Sequence, residues 1–398
     1  MPTAQTGTRP AAGVPTMGVE EEFFLVGADG RLAPRSVEVL DAAPPGPGEL
    51  LGEFTRSQVE AAGPVCAGAG ELLAGLRESR RRLAEAAARL DTRVIAGAVP
   101  VMAELGPQQL NPGTRYHRIA ERFGAVAEAA GTNCGCHVHV EVPDRDSGVQ
   151  AGNRLRAWLP TLLALSANSP VCGGTDTGYG SWRQPRWSRW PTAGPPPPME
   201  SAEHYEHCVA ALLESGAALD RRMLYWDIRL SDRHPTVEIR VCDVPATPEE
   251  SALIAVLVRA LVAAALDDAA QGRPAPRRDP AVLRGDLWRA ARDGLEGSCP
   301  DPLNGGRLRP VHGVLAGAVE HLRPYLERSG DLGFAQAVLT ALRAHGGGAA
   351  RQRVSFNRRS LAADVVDDLA YATAHGLEAS VTPPGRGAAS AHARPFGG

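Results

Sequence analysis

Two hydrophobic periods alternate irregularly along this chain. The first apolar run, GVEEEFFLV at 18–26, reads as a strand. Period-two alternation sets Glu20, Glu22 and Phe24 on one face, and Glu21 and Phe23 on the other. The run ends at the turn Ala28-Asp29-Gly30. Beyond a Pro/Gly-rich loop at 44–48, a short strand is predicted over 54–60. Residues 71–90 carry Leu72, Leu73, Leu76, Leu83 and Leu90 at helical spacing. An apolar strand at 93–99 and a helix over 116–130 come next. Alternation returns over 133–142, with His137, His139 and Glu141 on one face and Val138, Val140 and Val142 on the other.

Leucines at 155, 159, 162, 163 and 165 predict a long helix over 149–166, capped by Asp146 or Ser147. Residues 168–198 are rich in Gly, Pro, Trp and Arg and form a loop long enough to suggest function. Strands follow over 225–230 and 236–241, then a helix over 249–270 and further helices to about residue 374. Strands scattered among helices, without regular βαβ alternation, predict an α+β fold with a mainly antiparallel sheet. Residues 1–16 and 376–398 read as disordered tails around a single catalytic domain at 17–375.

Composition narrows the chemistry. The net charge of −3 gives no electrostatic case for nucleic acid or an acidic membrane. The chain contains no lysine, so all 42 strongly basic side chains are arginine. A P-loop, a Schiff-base lysine and a Ser–Lys dyad are excluded, and bound phosphate must be met by Arg, metal or backbone N–H groups. Seven scattered cysteines without a CxxC pair predict a reduced, cytoplasmic protein. The apolar stretch at 253–266 is interrupted by Arg259 and too short for a membrane span.

Four constellations carry candidate chemistry. Glu20-Glu21-Glu22 within an apolar strand is either a solvated face or a set of carboxylates converging on a cation. His137 and His139 form either a metal-binding pair or two hydrogen-bonded core histidines. In VEIRVCD, Glu238 and Arg240 share a face, as a structural ion pair or as a metal acid beside a phosphate arginine. Glu60 is a further carboxylate. An oxygen-rich set with few histidines suits Mg²⁺ or Mn²⁺ better than Zn²⁺. In SWRQPRWSRW, Arg183, Arg186 and Arg189 alternate with three tryptophans, which can clamp anions, stack structurally or bind single-stranded nucleic acid. The acidic balance of the chain opposes the last.

In order and together, GVEEEFFLV, SQVE, RYHRIAERFG, CGCHVHV, NRLRAWLPTLLALSANSP, DTGYGSWR, WSRWPTAGPP, YWDIRLS, HPTVEIRVCDV and RQR resemble the glutamate–cysteine ligase type 2 family of carboxylate–amine ligases. The resemblance runs from about residue 17 to 369. It implies a glutamine synthetase-like fold, in which an antiparallel sheet curls into a funnel that holds Mg²⁺ and ATP and helices cover the outside. It further implies Glu20, Glu22, Glu60, His137 and Glu238 as metal ligands, with His139 as a ligand or substrate contact. Arg240, Arg351 and Arg353 would meet phosphates, Arg240 and Arg353 as the catalytic pair, and Arg183 and Arg189 would hold the substrate carboxylate or ATP. The implied reaction joins an acid, with glutamate the first expectation, to an amine through an acyl-phosphate. The resemblance also suggests a homodimer.

The sequence departs from that pattern in three places. Ala98-Val99 stands where Thr-His is usual, Ala61-Ala62 follows Glu60 where Thr-Pro is common, and Glu141 replaces a glycine. If Ala98-Val99 lies at the substrate end of the funnel, a shifted acid–amine pair is expected. An amide ligase of specialised metabolism and a metal-dependent hydrolase, with His137 and His139 activating water, are the competing readings.

Overall fold

In the computed structural model, which describes residues 13–377, seven strands form one open antiparallel sheet. They are β1 (Met17–Val26), β2 (Glu49–Gly52), β3 (Gln58–Ala62), β4 (Arg93–Ile95), β5 (Gly135–Glu141), β6 (Ile228–Leu230) and β7 (Thr236–Asp243). The order is β2-β3-β1-β5-β7-β6, with β4 paired to the far end of β1. This is the expected α+β class: helices cover one face of the sheet, and the other face lines a cavity.

The covered face is built by the apolar half of each alternation. Val19, Val138, Val140, Val237 and Ile239 are buried beneath α5, a 23-residue helix introduced below. The helices that bear on the site are α1 (Ala69–Ala88), α2 (Thr114–Phe123), α3 (Ala125–Gly131), α4 (Arg183–Trp187), α5 (Pro248–Ala270) and α6 (Gly348–Arg359). α5 is apolar on nearly every side because neighbours surround it. It starts with Pro248 in its first turn and a reciprocal capping box between Thr247 and Glu250.

Glu21 points to the covered side, as alternation requires. It is fully buried, and Arg80 of α1 grips it through Nε at 3.0 Å and Nη2 at 2.5 Å, with Ser251 Oγ at 2.5 Å. Glu21→Gln leaves a buried guanidinium uncompensated and should lower stability by about 3 kcal/mol. A denaturant titration measures this.

Several boundaries differ from the periodicity. The helix expected over 116–130 breaks at Gly124, whose φ of 51° ends α2 and starts α3. The helix expected over 149–166 is three pieces, Arg145–Leu155, a 3₁₀ turn Arg156–Trp158, and Leu159–Ser166 with Pro160 in its first turn. Its cap is Asp144, which accepts from Ser147 N, not Asp146 or Ser147. The loop at 168–198 contains α4 and a two-residue hairpin pair. β2 went unpredicted, since an edge strand of pattern exposed–half–exposed–half has no apolar face to read.

Most of both expected tails, residues 1–12 and 378–398, lies outside the described residues. Thr16 is anchored, its N–H and Oγ donating to Glu141 Oε2 at 3.2 and 2.8 Å. None of the seven cysteines is in a disulfide, and among the described residues no helix is long and apolar enough to cross a membrane.

Candidate active site

Register converts three short motifs into one site. Glu22 of β1 sits opposite Glu60 of β3, and Glu20 opposite His137 of β5. His139 is paired with Glu238 of β7, and Glu238 in turn with Arg229 of β6. Cross-strand partners on one face lie about 5 Å apart, so the polar half of each alternation forms one continuous diagonal. A cavity of about 620 Å³ opens on it.

The acids divide into two groups. Glu20, His137 and Glu238 bring ligand atoms within 4.8 Å of one another, and so do Glu22, Glu53 and Glu60. Sequence reasoning missed Glu53, which follows β2 and has no alternation around it. In the second group burial, compounded by the charge of Glu53, pushes Glu22 up to about 8. Burial and the three neighbouring glutamates push Glu60 well up, and burial raises Glu53. Three clustered carboxylates, Glu22 buried and Glu53 and Glu60 half-buried, that suppress one another's ionisation are a donor set suited to a hard cation.

The first group is electrostatically different. Burial opposes the Glu20 charge, but hydrogen bonds from His137 and His139 outweigh it and hold the carboxylate ionised. Burial likewise opposes Glu238, yet Arg240 and Arg229 keep it charged, Arg229 through Nε at 2.8 Å and Nη2 at 3.2 Å. Burial and the Arg240 charge lower His137 to about 4, leaving a neutral imidazole. Its Nε2 is buried without a hydrogen-bond partner among the described residues. A neutral, unpartnered imidazole nitrogen beside carboxylates is a ligand in waiting. Both donor sets therefore fit Mg²⁺ or Mn²⁺.

The two ends of the cavity contrast. Phe54, Tyr116, Trp187, Trp190 and Tyr225 wall the end near Glu53, with Tyr225 4.7 Å from Trp187 and 5.3 Å from Trp190 between ring centroids. Arg222, Arg229, Arg233 and His234 rim the other.

Seven of the residues implied by the sequence line this cavity: Glu20, Glu22, Glu60, His137, His139, Glu238 and Arg240. Arg183 is buried just behind, stacked over Trp187 at 5.3 Å. The remaining three are not brought here. Arg189 is exposed after α4, outside the cavity. On α6, Arg351 is committed to Glu250 at 2.8 Å, and Arg353 to Asp176 at 2.9 and 3.1 Å. These pairs tie α6 to α5 and to the 168–198 loop, which is a structural use of the RQR motif. Arg353→Lys should accordingly leave turnover within about threefold of wild type, since a half-exposed ion pair contributes little. Steady-state ADP release measures it.

Comparison with known proteins settles the class. The family model described as glutamate–cysteine ligase family 2 matches residues 16–365. The chain belongs to glutamate–cysteine ligase family 2. It is 44% identical over 352 residues to a Rhodococcus jostii protein provisionally named glutamate–cysteine ligase 2-1, covering 88% of this chain and 95% of that one. A Saccharopolyspora erythraea protein of the same provisional name is 45% identical over 373 residues, covering 93% and 97%. Membership makes the protein an ATP-dependent carbon–nitrogen ligase. Solved structures show the fold alone. A glutamate–cysteine ligase from Francisella tularensis, in complex with AMP, superposes with TM-score 0.60 at 12% identity, covering 92% of this chain and 91% of that one. A bifunctional glutathione synthetase from Pasteurella multocida gives 0.62 at 15% identity, covering 90% of this chain, which spans about half (52%) of that one.

The departures from the family pattern now have places. Ala98 and Val99 are fully buried, and Ala98 packs in the cluster containing Phe23 and Phe24, not against the cavity. The premise for a shifted substrate at that position is thus overturned: the polar pair usual there has been exchanged for core packing. Glu141 is exposed at the end of β5 and anchors Thr16. Ala62 alone of these positions lines the cavity.

The raised carboxylates of this ligase predict a pH dependence. Glu22 is shifted to about 8 from an unfolded value of about 4.3. The metal-free folded state therefore binds a proton that the unfolded chain releases, and stability falls as pH rises through that window. A cation on Glu22, Glu53 and Glu60 competes with protons, so the thermal stabilisation given by Mg²⁺ should grow from about pH 6 to about pH 8. Melting curves with Mg²⁺ and with EDTA measure it; a pH-independent difference refutes a carboxylate site.

Proposed function

We propose that the protein joins the side-chain carboxylate of glutamate to an amine, forming the amide through an acyl-phosphate made from ATP. The observation that carries this reading is the pairing of two donor sets, Glu20/His137/Glu238 and Glu22/Glu53/Glu60, on one wall of one cavity with Arg240 beside them. One set would hold a cation for the phosphates, and the other a cation for the reacting carboxylate. When bound, Mg²⁺ or Mn²⁺ supplies neutralisation of the charge that ATP and a carboxylate bring together.

The protein's own part is positioning and charge. A carboxylate oxygen of the acid attacks the γ-phosphorus, the bond to the β-bridging oxygen breaks, and ADP leaves. Arg240, buried and fixed by Glu238, directs its guanidinium charge toward the phosphoryl oxygens. The amine nitrogen then attacks the acyl carbon, phosphate leaves, and one proton passes to a nearby acceptor. The aromatic wall of Tyr116, Trp187, Trp190 and Tyr225 excludes water that would hydrolyse the acyl-phosphate. The unpaired cysteines fit a cytoplasmic setting.

The experiment is an ADP- and phosphate-release screen of amino acids against amines, with glutamate plus cysteine as the reference pair. Stoichiometric release that needs both an acid and an amine supports the ligase. Water-dependent turnover with no amine points instead to the hydrolase. Release that is acid- and amine-dependent but absent with glutamate points to a ligase of another acid.

A further inference from the structure

At its far end β7 stops on a carboxylate that the chemistry above does not use. Asp243 is the last residue of the strand that carries Glu238 and Arg240, and it is fully buried. The donors that hold it are neutral. Asn168 N–H and Ser169 Oγ donate to Oδ2 at 2.9 and 2.7 Å, and Ser181 Oγ donates to Oδ1 at 2.7 Å. Burial pushes its carboxyl above the usual range, with the Arg183 charge and these three donors opposing. A carboxylate buried in this way is costly, so it needs a use.

The use lies in the remaining lone pairs of the two serines. A hydroxyl has one proton to give and a carboxylate can only accept, so both hydroxyl protons turn to Asp243. That leaves Ser169 Oγ to accept from Arg183 N–H at 3.1 Å, and Ser181 Oγ to accept from Gln184 N–H at 3.4 Å. Arg183 and Gln184 open α4, which is five residues long and whose N-cap residue, Trp182, supplies no side-chain hydrogen bond. A helix of that length does not hold itself together in water. Its first N–H groups are satisfied from Asp243 through the two hydroxyls.

The same carboxylate closes the loop that contains α4. Ser169 and Ser181 form a parallel bridge, with Ser169 N–H donating to Gly180 O at 3.0 Å and Trp182 N–H to Ser169 O at 3.2 Å. Asn168 ties this clamp to its surroundings. Its Nδ2 donates to Ala96 O and Val244 O, both at 2.8 Å, and Gln352 of α6 donates to its Oδ1 at 2.7 Å. A Cβ on residue 348 would come within 2.3 Å of that Oδ1, so only glycine fits there. At the other end of α4, Trp187 lines the cavity, 4.7 Å from Tyr225 and 6.3 Å from Trp190 between ring centroids. One strand thus carries Glu238 and Arg240 in its middle and the anchor of the aromatic wall at its end.

We infer that Asp243 is a positioning residue that, through Ser169 and Ser181, holds α4 and Trp187 in the aromatic wall and so sets how the acyl-phosphate divides between amine and water. The inference rests on the ligase reading above. With the wall in place, the amine attacks the acyl carbon and phosphate leaves. When α4 loosens, a water oxygen attacks that carbon instead, phosphate leaves, a proton passes to solvent, and the acid is returned unchanged. ATP is then consumed without an amide.

The measurement is ADP formed per amide formed, with the acid–amine pair that gives the fastest ADP release in the screen above. Wild type should give about one. Asp243→Asn keeps the shape but aims an N–H donor at one serine, and Ser181→Ala removes one relay. Each should raise the ratio to about three or more while ADP release stays within about tenfold of wild type. A merely structural Asp243 would lower the active fraction, so ADP and amide would fall together at an unchanged ratio; that result overturns the inference. Ser181→Ala deletes only a hydroxyl and carries the comparison if Asp243→Asn does not fold. A double-mutant cycle with Trp187→Ala tests the route through the wall. Trp187→Ala should itself be uncoupled, and adding Asp243→Asn should change its ratio little. Equal increases in both backgrounds would mean that Asp243 acts elsewhere, and overturn the inference as well. The ligase reading fails separately, if no acid–amine pair supports ADP release in wild type.

Discussion

Replacing Glu22 by glutamine should lower acid-dependent ADP formation by about 10³-fold or more while the protein stays folded. Glu22 is a member of the Glu22/Glu53/Glu60 set and sits opposite Glu60 across the β1–β3 pair. Its amide keeps the shape and can still accept from Gly135 N–H, so local structure is preserved. The anionic donor is lost, and with it a ligand for the cation that would neutralise the reacting carboxylate and phosphoryl group. Stability should move the other way. Burial and the charge of Glu53 already oppose ionisation of Glu22, so the neutral variant should melt higher than wild type in EDTA and gain less from Mg²⁺. The adjacent Glu21 gives the opposite pattern, with stability lost because its partner is Arg80. Steady-state ADP release and melting curves with and without Mg²⁺ separate the two. Near-normal turnover by a folded Glu22→Gln protein removes the second donor set from the mechanism.

How much of this site could be read from the chain depends on the length of each element. In β1, β5 and β7 alternation runs for seven residues or more, and it placed Glu20, Glu22, His137, His139, Glu238 and Arg240 on one face. Glu53 escaped because it sits just past an edge strand of only four residues, too short to define a period. Arg351 and Arg353 were misplaced for another reason. Their partners Glu250 and Asp176 are about a hundred residues or more away in sequence, and no local pattern encodes which distant acid an arginine will find. Ala98 and Val99 show the limit of analogy: two apolar residues in a polar position look like an altered pocket until the burial of both, with Ala98 in the cluster of Phe23 and Phe24, identifies them as core. In each case the missing information is tertiary.

The second large effect is expected at Arg240, where lysine should lower kcat/KM by about 10²- to 10³-fold even though the charge is retained. Arg240 is buried in β7, with one terminal nitrogen on Glu238 and 3.4 Å from His137 Nδ1. Its planar fork holds a ligand carboxylate and still offers further N–H groups to the cavity it lines. An ammonium at the end of a flexible stem can serve Glu238 or a phosphoryl oxygen, but not both in fixed geometry. It is also far more strongly hydrated, so burying it costs more. Arg229 remains on Glu238 in the variant, at 2.8 Å, which keeps that acid charged and isolates the loss at the phosphoryl side. Three measurements therefore belong together. Thermal stabilisation by Mg²⁺ should be largely retained, kcat should fall more than KM for the amine rises, and Arg240→Gln should be worse than Arg240→Lys. A lysine variant with wild-type kcat would show that Arg240 contributes only a diffuse positive charge.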